Sequence, residues 1–513
     1  MAIPSHHDLE EAIKAWGALL GLENVITEEE ALTSVQTATF ATTQKVTTII
    51  KPANRQEVQD CVRVAARRGI PIYPISAGKN WGYGSRVPPT DNCAIMALDR
   101  LNRILDFDER LAYITVEPGV TFDQVERFLK EKGSRLMVNS PGSTPDASLI
   151  GNSLERGIAG GIEGDRWSQV CGLEVVLPDG GCIQTGLERF AECRASKVIR
   201  WGVGPSLDGL FSQSNLGIVT KLTLWLSPLP AFFQYFSFSI KDARQLRTLI
   251  DKLQALKRDC VIDTTIGLYN DYKILTYLRQ YPWDEADGRT SLSDRLLRKA
   301  TELLGGVWFG EAAITAPDQR IGEVKRDLLR QALSENVDGL EFKLPNAENP
   351  LIGHCTGTGL ASVYWRKKSP PPRQMDPDRD GCGLIWLPLV APFTGQAVTD
   401  CMTVIQETMA NFAFEPIIGV QCLTPRAVHV VVSIIFDRQQ QGQDEAALAC
   451  HDTMLRRLAQ NGFIPYRLSL PAMSTLNTSS EDYGRLLKTI KGALDPAHIL
   501  APGRYDFRHE WPK

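Results

Sequence analysis

Three glycines gather around a lysine in Ser76-Ala77-Gly78-Lys79-Asn80-Trp81-Gly82-Tyr83-Gly84-Ser85, immediately after a helix and an apolar segment. Glycine reaches backbone conformations closed to other residues and carries no side chain, so such a loop can bring backbone N–H groups close to a phosphate. Two familiar phosphate loops are excluded. A Walker loop would need its first glycine where Tyr73 stands and Ser or Thr where Asn80 stands, and it would enter a helix, whereas this chain runs on into Val87-Pro88-Pro89. The dinucleotide pattern G-x-G-x-x-G is not matched either. Taken alone, the segment reads equally well as a glycine-rich surface turn.

The flanks narrow the choice. Asn54 can cap a helix whose apolar face is Val58, Cys61, Val62 and Ala65 and which ends at Gly69; residues 70–75 then read as a strand. Upstream, Leu9, Ile13, Trp16 and Leu20 share one face of a helix starting near Asp8 and stopping at Gly21. Downstream, residues 104–108 and 112–116 form a strand pair, and Thr121 with Gln124 has capping-box spacing for a helix that Gly133 ends. Residues 173–177 and 182–185 make a hairpin through Pro178-Asp179-Gly180-Gly181. In residues 218–226 Ile218, Leu222, Leu224 and Leu226 fall on one face, predicting a half-buried strand. Two prolines in Ser227-Pro228-Leu229-Pro230 then mark a boundary.

A chain of 513 residues exceeds what one core fills, because cores stop growing at about 250–300 residues. The expected class is α+β, with residues 1–229 as a first domain, 230–467 as a second, and 468–513 returning to the first. The second domain mixes a helix after Ser293 with a strand at 428–436. Charge is nearly balanced, at a formal net of -4, which disfavours nucleic acid and anionic lipid as partners. No secretory signal or apolar run long enough for a membrane span is read, and eleven cysteines without a C-x-x-C pair argue against a disulfide framework and a zinc site. A reducing cytoplasm is the expected setting.

Several further blocks fall in order along the chain. Residues 74–84, Val116-Glu117-Pro118-Gly119-Val120-Thr121, Gly151-Asn152-Ser153-Leu154-Glu155-Arg156-Gly157, residues 171–180, residues 211–220 and Leu500-Ala501-Pro502-Gly503-Arg504 together resemble the FAD domain of the vanillyl-alcohol oxidase and p-cresol methylhydroxylase family. The resemblance covers about residues 45–230 and 460–505. It implies a two-domain flavoprotein, a PCMH-type FAD-binding domain plus an α+β substrate domain. In it Ser76, Ala77, Gly78, Lys79, Asn80, Trp81 and Gly82 surround the diphosphate, and Pro141, Gly142, Gly151, Asn152, Gly217, Ile218 and Val219 line the rest of the cofactor. Arg504 would neutralise a phosphate.

The same resemblance places substrate chemistry at Phe463-Ile464-Pro465-Tyr466-Arg467, similar to the Tyr-Arg pair with which relatives hold a phenol oxygen, and at Tyr83 in the glycine loop. Two tyrosine hydroxyls and a guanidinium can stabilise a phenolate, which pushes electron density toward the benzylic carbon and lets hydride leave for the flavin. Adjacent strand residues face opposite sides, so Tyr466 and Arg467 converge only at a strand end or bulge, which Pro465 favours. The proton-handling place falls near Ser143 by register, while Asp146 is the only carboxylate in residues 138–150.

One departure stands out. Relatives attach FAD covalently through a histidine or tyrosine in the second domain, but Gly383 occupies the histidine's place in Asp380-Gly381-Cys382-Gly383-Leu384-Ile385-Trp386-Leu387-Pro388. No histidine lies between His7 and His354, which predicts non-covalent FAD; the alternative is attachment through an unusual residue, Cys382 or a tyrosine. His429 reads as a packing histidine, and His354 beside Cys355 lacks other metal-ligand spacing. The leading expectation is oxidation of a para-substituted phenol, with O2 or an electron-transfer protein as acceptor. Oxidation of a hydroxy acid or sugar-type alcohol and a catalytically silent flavin-binding protein are the alternatives. A homodimer is among the assemblies left open.

Overall fold

A computed structural model describes residues 5–286, 291–345, 358–474 and 481–506. The opening helix is His6–Leu20; Ser5 caps it by accepting from the Asp8 amide at 3.1 Å, and Trp16 is fully buried, donating from Nε1 to the Cys61 carbonyl at 3.1 Å. That bond ties it to the helix Arg55–Arg68, which Asn54 caps as expected. Pairing there runs in the order Val25–Ile26, Val46–Ile50, Cys93–Ala97, Ile72–Ile75, with the last three strands parallel.

A second, antiparallel sheet has the order Ile104–Asp108, Tyr113–Val116, Ile218–Trp225, Val170–Val176, Cys182–Gln184. Its central strand corrects the half-buried expectation. Register shifts at Val219/Lys221 and Leu222/Leu224 put Ile218 into the core of the first sheet, whereas Val219, Leu222 and Leu224 enter the core of the second. The Thr223 hydroxyl is buried too, sharing a 2.9 Å hydrogen bond with Thr115, so both faces of the strand are covered. The capping box at Thr121 is half formed: Thr121 accepts from the Gln124 amide, while the Gln124 side chain donates to the Asn102 carbonyl.

The largest sheet has eight antiparallel strands in the order Gly339–Lys343, Phe232–Ile240, Trp308–Ala316, Ile266–Asn270, Ile417–Cys422, Ala427–Phe436, Gly383–Pro392, Ile464–Pro465. Alternation sorts its residues. Leu268, Ile314, Val420, Val430, Val432 and Leu387 join Ile250, Val398 and Met454 from the covering helices in one core. The opposite face carries Tyr269, Gly419, Val431, His429 and Trp386, and it is this face that meets the first two sheets. Contact between the two halves is direct: Leu384 donates to the Thr39 carbonyl and Trp386 to the Gly82 carbonyl at 3.1 Å.

The helix Glu481–Leu494 brings the chain back. Lys491 is buried and donates to Asp495 at 2.7 Å and to the Asn215 and Leu500 carbonyls, while Asp495 accepts from the amides of Ile499 and Leu500. The pinned segment bonds alongside Ile72 and delivers Arg504 to the glycine loop. Removing one member of a buried pair leaves the other charge uncompensated. Lys491→Met is therefore expected to cost about 3 kcal/mol, read from urea unfolding of the purified protein; a change below about 0.5 kcal/mol would count against the pin.

Candidate active site

A cavity of about 370 Å³ runs between the glycine loop and the inner face of the large sheet. Its first part is a backbone cradle. Beyond the strand Ile72–Ile75, the N–H groups of Ala77, Gly78, Lys79, Asn80 and Trp81 find no acceptor among the described residues, so five consecutive donors border the cavity. Two positions allow only glycine: Gly78 has φ +69°, and Gly82 has φ +76° with a Cβ that would lie 2.1 Å from the Trp386 ring. A Cβ on Gly151 would sit 2.5 Å from the Ser76 hydroxyl, and one on Gly217 would sit 2.3 Å from Val175. The indole N–H of Trp81 is buried with no acceptor. A row of free amides with close-approach glycines suits an anionic diphosphate, so the residues present fit FAD.

Ser76, Ala77, Gly78, Lys79, Asn80, Trp81, Gly142, Gly151, Asn152, Gly217, Ile218, Val219 and Arg504 all line this cavity. Gly82 and Pro141 are not part of the lining: Gly82 lies behind Trp386, and Pro141 pairs with Ala159. The Lys79 ammonium forms an ion pair with Asp146 and lies 5.4 Å from the centre of the Trp81 ring.

The second part is a knot of charges and phenols. Arg504 donates to Tyr73 at 2.8 Å and forms an ion pair with Glu155. Glu155 also accepts from Tyr505 at 3.0 Å and lies 3.3 Å from Arg467 Nε. Burial alone would raise the Glu155 pKa, but Arg504 and Arg467 outweigh it and hold the carboxyl below its usual range. From the sequence, Arg504 is expected to neutralise a phosphate. Its guanidinium is instead already matched by Glu155, a residue with no local sign of this role beyond lying four positions after Gly151.

The strand Ile464–Pro465 ends just before Tyr466, which removes the alternation and lets Tyr466 and Arg467 point to one place. Arg467 packs over the Tyr83 ring at 4.2 Å and donates to the Asn80 side chain. Tyr466 stacks on His429, with ring centroids 4.3 Å apart and planes 14° from parallel, and its hydroxyl accepts from Tyr83 and Arg467. Burial raises both tyrosine pKa values, so they remain neutral O–H groups, while burial pulls His429 down to about 4 and keeps it neutral. Its Nδ1 is buried with no partner.

Ser143 lines the cavity and Asp146 does not: the Asp146 side chain is 60% exposed, and although burial pushes its pKa up, the Lys79 partner brings it below normal. A paired, outward carboxylate is a weak base, so of the two candidates only Ser143 is within the cavity. His354 and Cys355 lie outside the described residues, and among those described no cluster of His, Cys, Asp and Glu could hold a metal.

Similarity to known proteins follows the same lines. Residues 46–186 match the family model described as FAD binding domain. The chain is 43% identical to 1'-carboxy-chondrochloren decarboxylase of Chondromyces crocatus, over 98% of each chain. It is 26% identical to the 4-cresol dehydrogenase [hydroxylating] flavoprotein subunit of Pseudomonas putida, over 97% of this chain and 95% of that one. A crystal structure of p-cresol methylhydroxylase with substrate bound superposes with a TM-score of 0.91 at 24% identity, covering 98% of both chains. The chain belongs to the PCMH-type FAD oxidoreductase family. FAD is thus its cofactor, and the two-domain α+β fold is the family's.

Gly383, which occupies the place of the relatives' attachment histidine, offers no side chain to the flavin. A Cβ on Gly383 would lie 2.4 Å from the Phe436 carbonyl oxygen, so residue 383 faces away from the cavity, which Leu384 and Trp386 line. Cys382 is fully buried, with burial pushing its thiol up to about 12, a poor nucleophile. Acid precipitation of the holoprotein should therefore leave the yellow colour in the supernatant; colour in the pellet would show a covalent bond. Gly82→Ala, forced to place a methyl in the Trp386 ring, should weaken FAD binding at least about tenfold, measured by titrating apoprotein with FAD.

Proposed function

We propose that this protein oxidises a para-substituted phenol at its benzylic carbon. The observation that carries the reading is the convergence of Tyr83, Tyr466 and Arg467 on one wall of the FAD cavity. Bound FAD supplies a hydride acceptor. The protein's own share is to hold the substrate oxygen as a phenolate: Arg467 stays charged because Glu155 opposes the cost of burying it, and the two neutral tyrosines can donate to an added oxygen anion. Negative charge on that oxygen pushes electron density through the ring to the para position, so the benzylic C–H bond attached there gives up its electron pair as hydride more readily. What remains of the substrate is a quinone methide, which water can attack to give an alcohol or which can lose a proton to give an alkene. Ser143 is the hydroxyl placed to order a water or pass a proton, while Asp146 remains outside.

A second reading has its own support in the 43% identity to a protein named as a decarboxylase. If the carbon next to the benzylic position carries a carboxylate, its C–C bond to that carboxylate can break instead. The electron pair fills the quinone methide, CO2 leaves, and the product is an alkenyl phenol. Oxidation by hydride loss comes first in either case. A hydroxy acid could instead place its carboxylate on Tyr466 and Arg467, and the flavin's response to a non-phenolic alcohol separates that alternative from a phenol.

Anaerobic mixing with 4-propylphenol and with 3-(4-hydroxyphenyl)propanoate tests this. The flavin should bleach with either, and carbon dioxide should appear only with the second if decarboxylation operates; bleaching by a non-phenolic alcohol but by neither phenol would overturn the proposal. Arg467→Ala should lower kcat/KM for the phenol by about 100-fold, and an unchanged value would remove Arg467 from the site. Rapid reoxidation of the bleached enzyme by air would favour O2 as acceptor over an electron-transfer protein.

A further inference from the structure

Lys273 is buried, 6% exposed, on the helix Asp271–Leu278 that packs across the inner face of the large sheet. Among the described residues its ammonium has no carboxylate partner. It lies 5.2 Å from the centre of the Trp386 ring and 5.0 Å from that of Tyr277, and it donates to the Ser362 hydroxyl at 3.4 Å. Aromatic faces and one hydroxyl offset only part of the cost of removing a full charge from water. Burial correspondingly pushes its pKa down to about 8. Among the other buried cations described, Arg366 is matched by Glu415 and Lys491 by Asp495, while Lys257 donates to the Thr264 carbonyl at 2.8 Å and Arg166 to the Asn139 carbonyl at 2.7 Å and the Asn152 side-chain oxygen at 2.6 Å. Lys273 is the exception in having only a long bond to a hydroxyl.

Its location makes the exception meaningful. Trp386 lines the cavity, as do Gly359, Leu360 and Val363 around Ser362. Across the sheet Trp386 pairs with Ser433, whose buried hydroxyl has no partner. On the same face of that strand, two residues further back, comes Val431, a cavity residue; its cross-strand neighbour Gly419 has no side chain, so the floor is low there. Another two residues bring His429, under the ring of Tyr466. Four residues of strand separate the His429 row from the Ser433 row, roughly 13 Å. One end of this floor holds the phenol-binding cluster; at the other, next to the lining residue Trp386 but not themselves in the lining, lie the Lys273 ammonium and the Ser433 hydroxyl.

We propose that Lys273 receives a carboxylate carried by the substrate's para side chain, with the Ser433 and Ser362 hydroxyls beside it, so that the preferred substrates are anionic phenols. The proposal rests on the phenol reading above for the other end of the molecule. Lys273 is then a positioning residue, fixing how far along the floor the benzylic carbon sits.

Isothermal titration calorimetry of the FAD-loaded enzyme tests it with three ligands: 4-propylphenol, 3-(4-hydroxyphenyl)propanoate and 3-phenylpropanoate. Wild-type enzyme is expected to bind the hydroxyphenyl acid at least tenfold more tightly than the uncharged alkylphenol. Lys273→Met should reduce that preference tenfold or more, and Lys273→Arg should retain most of it. If the methionine variant fails to hold FAD, Lys273→Gln carries the same comparison. A preference equal in wild type and the neutral variants, or absent from wild type, overturns the assignment. The phenyl acid separates the two ideas. Should it bind as well as the hydroxyphenyl acid and still depend on Lys273, the phenol reading falls while the carboxylate site stands; should the hydroxyphenyl acid bind better than the phenyl acid but without regard to Lys273, the reverse holds.

Discussion

Glu155 sits between two guanidiniums that arrive from different parts of the chain, Arg467 at the close of the large sheet and Arg504 from the returning tail. A single carboxylate that is largely withdrawn from water can be stable only with such partners, and each guanidinium in turn needs it. The ion triad thereby links the glycine loop, the helix Leu149–Leu154 and the two later segments at one point. Tyr73, Tyr83, Tyr466 and Tyr505 fill in around it, and their hydroxyls or rings contact the charged groups. The orientation of Arg467 toward the cavity, on which the proposed phenolate chemistry depends, follows from this arrangement.

The cavity's two walls are built on different physical terms. The cradle wall is backbone: its free amides and close-packed glycines suit any diphosphate and say little about the reaction. The sheet wall is side chain, and period-two alternation determines what it shows. Val428, Val430 and Val432 enter the core, while His429, Val431 and Ser433 face the cavity side. Glycine at 419 keeps that floor open, and Trp386 closes one end against Gly82.

Much of this was legible from residues close together in the chain. The Asn54 cap, the Gly69 stop and the positive-φ glycines of the loop are local features, and each occurs where the pattern placed it. Pro465 likewise signalled the strand end that brings Tyr466 and Arg467 together. Reading failed where a local pattern competed with a distant one. The alternation at 218–226 ignored two bulges imposed by pairing with Val170–Val176, and the partner that holds Asp146 is Lys79, sixty-seven positions away.

The amino-acid order by itself determined the family, the cofactor and the glycine cradle, because those depend on backbone conformations and element sequence that short motifs encode. Tertiary structure alone decided which charges are spent and which are free. Arg504 is matched by Glu155 across 349 positions, whereas Lys273 is matched by nothing among the described residues but two rings and a hydroxyl. Coulombic pairing depends on distance in space and on exclusion of water, and neither is written in the neighbourhood of a residue along the chain.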